Sequence, residues 1–174
     1  RSFHFEIIEK LFKANTNTTK NEIERLLSEL EEITKSEPSD YYDFEYDRIV
    51  SFGERISTAI VSEYLKSISL DNFLIDIRDA LKTDNNFRDA NIDMELSEKF
   101  CKKKFNFDNT QRYITQGFIA GTVTKQTTTL GREGSDYTAA ILANLLNAQS
   151  VTIWKDVPGV MNADPKLFAD AEIM

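Results

Sequence analysis

The chain has 174 residues, 41% of them hydrophobic and 29% charged, which is enough for one ordinary domain with an apolar core. Its net charge of -8 excludes a general nucleic-acid surface, because affinity for phosphate backbones comes from lysine and arginine set against them. No run approaches the roughly 18 apolar residues that span a bilayer, RSFHFEIIEK lacks the order of a signal peptide, and the single Cys101 suits a reducing compartment, so no membrane partner is expected and a cytoplasmic location is.

Phe5, Ile8 and Phe12 recur at helical spacing and predict a helix over residues 3–12. KANTNTTKN interrupts it. Ile23, Leu26, Leu27, Leu30 and Ile33 then make an amphipathic stripe from Lys20 to Thr34, ending before Pro38. SEPSDYYDFEYDRIV reads as a polar turn running into a short helix. A further helix is predicted from Gly53, with Ile56, Ile60 and Tyr64 along one face. NFLIDI is β-prone, and RDALKTDNNFRDANID reads as loop. The spacing next predicts a helix over Met94–Phe105 that turns Leu96, Phe100 and Cys101 inward. Its lysines at 102–104 read as a solvated face, and Cys101, with no histidine placed to activate it, as an inert core residue.

RYITQGFIAG predicts a strand ending in Gly117 and Gly121, and QTTTLG a second extended piece rich in β-branched threonine. Gly131 to Asp136 then turn the chain into a helix carrying Ile141, Leu142, Leu145 and Leu146. SVTIWK reads as a buried strand with Trp154 in the core, followed by the loop DVPGVMNADPKLF. Strands alternating with helices at this spacing indicate an α/β protein with a mainly parallel sheet, whose ligands sit beyond the carboxyl ends of the strands. GREGSD and DVPGV both fall at such ends.

In LGREGSDYTAA, Gly131 and Gly134 permit a tight turn and close approach, while Ser135 and Asp136 open a helix whose free N–H groups point outward. This is an anion cradle without the lysine that phosphate-binding turns carry. A ligand-free reading competes with it: Ser135 as an N-cap, and Asp136 complementing the helix dipole.

FGER followed by serine two residues on, TQGFIA, TTTLGREGSDYTAA and IWKDVPGV with the later ADP, in this order and spacing, resemble the aspartokinases of the amino-acid kinase superfamily. The resemblance runs from about Asp47 to the end of the chain, and the long third motif is its most specific part. It implies a three-layer α/β/α sandwich around a mainly parallel sheet, incomplete at both ends. It divides the chain into a helical part over residues 1–46 and a substrate- and nucleotide-binding core over 47–174, both within one partial catalytic domain that lacks regulatory domains. The reaction implied is transfer of the γ-phosphoryl of ATP, with Mg2+, to the side-chain carboxylate of L-aspartate, which leads to lysine, threonine and methionine. A carboxylate nucleophile is already ionised at neutral pH and needs no general base.

By the same resemblance, Glu54 would hold the substrate ammonium and Arg132 would grip a carboxylate bidentately. Ser135 and Asp136 would lie against the substrate and the transferring phosphoryl, with Asp136 organising the catalytic lysine. Lys155, Asp156, Met161 and Lys166 would face the nucleotide, and Mg2+ would be held through the ATP phosphates with no direct protein ligand. Read without the resemblance, Arg132 is an exposed surface charge and Glu54 a helix cap. The chain departs from the family at four of its positions: many aspartokinases have threonine at Lys155, an aromatic at Met161, arginine at Lys166 and glycine at Glu133. It also lacks the family's Lys-Phe-Gly-Gly strand, so the phosphate lysine is expected from an N-terminal strand of a longer protein, and this piece alone is expected to be inactive. That protein could be monofunctional or fused to homoserine dehydrogenase, and a homodimer. The alternatives are another enzyme of the superfamily and a noncatalytic anion-binding module.

Overall fold

The computed structural model describes residues 1–12, 17–155 and 159–174. Helices α1 (Ser2–Leu11), α2 (Asn17–Lys35) and α3 (Tyr42–Ser67) bury their apolar stripes against one another. Ile8, Phe12, Ile23, Leu26, Phe52, Ile56, Ala59 and Ile60 form this core. Each of these side chains larger than alanine contributes about 1.5–3 kcal/mol by leaving water, which is what keeps short helices formed. α2 starts earlier than its apolar stripe, because Thr19 is buried as well. The predicted break at Gly53 is absent, and α3 runs unbroken through it for 26 residues. The roughly 1 kcal/mol that a mid-helix glycine costs is small beside packing along the whole helix.

Strand β1 (Phe73–Ile75) pairs in parallel with β2 (Tyr113–Thr115), Leu74 opposite Ile114. Strand β3 (Ile119–Gly121) pairs antiparallel with β4 (Thr127–Thr129), Ala120 opposite Thr128. The extended QTTTLG therefore returns as a hairpin partner, since residues 122–126 are too few for a parallel crossover. The single strand expected over RYITQGFIAG is divided at Gln116–Phe118, where Phe118 takes φ 69°. Helices α4 (Met94–Lys104) and α5 (Gly134–Leu145) pack through Cys101, Ile141 and Leu145 with Ile75, Ile77, Leu81, Ile119 and Leu130 in a second core. Neighbouring residues of β1 point to opposite sides, Leu74 into the first core and Ile75 into the second. Helices thus cover both faces of the strands, in the expected α/β/α order. Burial without a histidine partner pushes the Cys101 thiol up to about 11, as befits a packing residue.

α3 meets the strands through a polar face. Asp47, Ser51, Glu54, Thr58 and Ser62 recur at helical spacing. Asp47 bonds β4, Thr58 Oγ1 accepts from Gln116 Nε2 at 3.0 Å, and Ser62 Oγ donates to Asn72 Oδ1 at 2.6 Å. Gln116 also accepts the Ile77 N–H at 2.9 Å. The segment read as loop is built into this frame: Ala80 and Leu81 are buried, a 3-10 turn spans Ile77–Asp79, and bridges join Lys82 to Gly121 and Thr83 to Ile92.

The strand expected over SVTIWK is not formed. Residues 151–155 have no strand partner among the described residues, and Trp154, expected in the core, is 90% exposed.

Candidate functional site

β4 runs through Leu130 into Gly131, Arg132 and Glu133 and then into α5. Gly131 has φ 71°, and a Cβ there would lie 2.5 Å from Asp89 Oδ1, so both conformation and space require glycine. The N-cap is Glu133, in the left-handed region at φ 57° and ψ 22°, without a side-chain capping bond. Ser135 is therefore not the cap; it sits exposed in the first turn. The Ser135 and Asp136 N–H groups have no backbone partner among the described residues, which is the donor pattern an anion can fill.

The β2–β3 corner supports this turn from below. A Cβ on Gly117 would come within 2.9 Å of Ser135 Cα, and one on Gly134 within 2.8 Å of the Phe118 ring. The Phe118 N–H donates to Thr138 Oγ1 at 3.1 Å, and the Leu130 N–H to the Phe118 carbonyl at 2.8 Å. The motifs TQGFIA and TTTLGREGSD are thus two halves of one interlocked structure.

Charge is concentrated on the turn. Lys155 Nζ lies 2.5 Å from Asp136 Oδ2 and 3.4 Å from Glu133 Oε2, and the hydrogen bond to Asp136 holds the ammonium pKa above its ordinary value. Arg132 is exposed, with no ion pair or side-chain hydrogen bond among the described residues. Glu54 is half-buried on the polar face of α3, and burial pushes its carboxyl above the usual carboxylate range. It makes no side-chain hydrogen bond among the described residues, and it does not cap a helix, since α3 begins at Tyr42. Met161 pairs with Ile173 in an antiparallel bridge, and Lys166 is exposed in a turn where its N–H donates to Asp164 Oδ1 at 2.8 Å. Asp156 lies outside the described residues. The structure thus gathers Ser135, Asp136 and Lys155 beside Arg132, carries Glu54 on a neighbouring helix face, and leaves Met161 and Lys166 in the C-terminal loop. Two cavities, of about 510 and 690 Å³, are lined by none of these residues.

Two features escape a reading of the sequence. Glu133 and Lys155, separated by 22 positions, meet as an ion pair. Asp47 is fully buried and accepts three hydrogen bonds, from Thr129 N and Arg88 N at 2.9 Å and from Thr129 Oγ1 at 2.8 Å. Burial pushes its carboxyl upward while these donors pull it down, and burial prevails. The available signal was the spacing of Asp47, Ser51, Thr58 and Ser62 along the helix face opposite the apolar stripe.

Among relatives, lysine-sensitive aspartokinase 3 of Escherichia coli is 36% identical over 173 residues, covering 99% of this chain and 38% of that protein. The bifunctional aspartokinase/homoserine dehydrogenase of Buchnera aphidicola is 32% identical over 174 residues, covering 99% of this chain and 20% of that one. The crystal structure of E. coli aspartokinase III with aspartate and ADP, in its R-state, superposes with a TM-score of 0.92 at 34% identity, over all of this chain and 39% of its own. The lysine- and aspartate-bound T-state gives 0.86 over the same shares. The chain thus spans about two-fifths or less of the relatives it matches. The model describing the amino acid kinase family matches residues 6–174, so the chain belongs to that family.

Proposed function

We propose that this chain is part of the catalytic domain of an ATP-dependent aspartate kinase, which transfers the γ-phosphoryl group to the side-chain carboxylate of L-aspartate. The observation that carries this reading is the head of α5, where N–H groups and an Arg132 without partners among the described residues lie beside a lysine on Asp136. The likeness to a structure holding aspartate and ADP supports the choice of both substrates.

The obstacle in this reaction is electrostatic. Two unit charges ~4 Å apart at an effective dielectric of ~20 repel by about 4 kcal/mol, and the attacking carboxylate meets a polyphosphate. The N–H groups of Ser135 and Asp136, Arg132 and Lys155 offset that repulsion where it is largest, and phosphoryl transfer needs little beyond such positioning and charge. Arg132 binds one carboxylate of aspartate through its planar fork, and Glu54 receives the ammonium. Magnesium would be held through the nucleotide's phosphates and would offset their charge, while the Asp136 carboxylate stays on the Lys155 ammonium. Lys155, Asp156, Met161 and Lys166 form the nucleotide side of the site.

Trapping the acyl phosphate as a hydroxamate, with the full-length protein, MgATP and aspartate, tests the assignment. Hydroxamate from another amino acid but none from aspartate overturns it.

A further inference from the structure

Glu133 sits in a left-handed conformation that an L side chain adopts at a cost, and makes no capping bond that would offset it. Its side chain is exposed, so a pair with Lys155 adds little to stability. What the pair does change is the charge of the turn. With Lys155 present, Arg132 and Lys155 balance Glu133 and Asp136; without it, two carboxylates flank a cradle of N–H groups suited to anions.

We propose that Glu133 is a positioning residue for Lys155: the two form a charge couple that holds the ammonium over the head of α5, where it screens both carboxylates from a nucleotide's phosphates. This rests on the nucleotide reading given above. Among the described residues Lys155 is the one cation that touches both carboxylates, and Glu133 is what makes its presence necessary beyond the need of Asp136 alone.

A double-mutant cycle in the full-length protein tests the couple, reading the Kd of MgADP by calorimetry together with kcat and the KM for ATP. Lys155→Met in the wild-type background should weaken MgADP about tenfold and raise the KM for ATP more than it lowers kcat, as expected of contacting charged groups. In the Glu133→Gln background the same substitution should cost no more than about threefold, because only one carboxylate is left uncovered. Raising the salt concentration should shrink that difference, since both groups are solvent-exposed. Glu133→Asp, which keeps the charge, should retain most of the coupling. Thermal unfolding of each variant separates loss of fold from loss of charge. An equal loss in both backgrounds, or a difference insensitive to salt, overturns the couple while leaving the kinase reading in place. Failure of the wild-type protein to bind MgADP overturns both.

Discussion

Removing the Asp47 carboxylate should loosen the molecule where its two cores meet. Asp47→Ala strands two buried donors, the N–H group and the hydroxyl of Thr129, and a part-buried one, the Arg88 N–H. An unsatisfied buried donor costs about 1–3 kcal/mol; the hydroxyl can rotate toward another acceptor and the Arg88 N–H belongs to an exposed residue, so the Thr129 amide dominates and the expected loss is about 2–4 kcal/mol. Asp47→Asn keeps an oxygen for both amides and offers its NH2 to Thr129 Oγ1, which can turn to accept. Its cost should be near 1 kcal/mol. Urea denaturation, with the slope of the transition checked for constancy, measures both. Because Thr129 leads through Leu130 to Gly131, the alanine variant should also raise the KM for aspartate. An alanine variant within 1 kcal/mol of wild type, or equal losses for alanine and asparagine, would refute the assignment of Asp47 as a hydrogen-bonded staple.

Gly53→Ala should stabilise the protein by about 0.5–1 kcal/mol, since the position is mid-helix and an added Cβ meets nothing within 4 Å; thermal melting checks this. Gly117→Ala forces a Cβ to within 2.9 Å of Ser135 Cα and should cost about 1–3 kcal/mol, with loss of hydroxamate formation at substrate levels that saturate the wild type. Glu54 has its folded-state pKa raised, so between the ordinary and raised values the folded protein holds a proton that the unfolded chain has released. The associated stability is present at the low end of that window and lost as pH rises through it. Glu54→Gln should therefore melt higher than wild type at neutral pH, the gap closing on acidification, while binding aspartate more weakly. In the wild type, the KM for aspartate should rise as pH falls through the same window.

The elements legible in the sequence were those with one strong period. α2 and α5 announce themselves by apolar stripes, and the glycines of GREGSD by the turn they permit. The missed elements are those whose cause is remote in sequence. α3 is continuous because partners on two faces override Gly53, and the apolar stripe shows only one of those faces. Residues 76–92 are rich in aspartate and asparagine and look like loop, yet Ile77, Ala80 and Leu81 are held in the core by residues from β3 and α4. SVTIWK has the composition of a strand, but a strand exists only beside another, and composition does not supply the neighbour. At the site, local chemistry identified Arg132, Ser135 and Asp136 as belonging to one turn. That Lys155 reaches back to Asp136 and Glu133 depends on tertiary approach, which no spacing rule encodes.

Where α3 crosses the strands, its grip is indexed. Greasy surfaces can creep past one another in small increments, but the bonds from Asp47, Thr58 and Ser62 are pins set along roughly 22 Å of helix axis, and all must release together before the helix can advance. Displacement of Glu54 relative to Arg132 would then come as a discrete jump between registers, so the span that the proposed site offers a substrate with charges at both ends is ruled off like the jaws of a gauge.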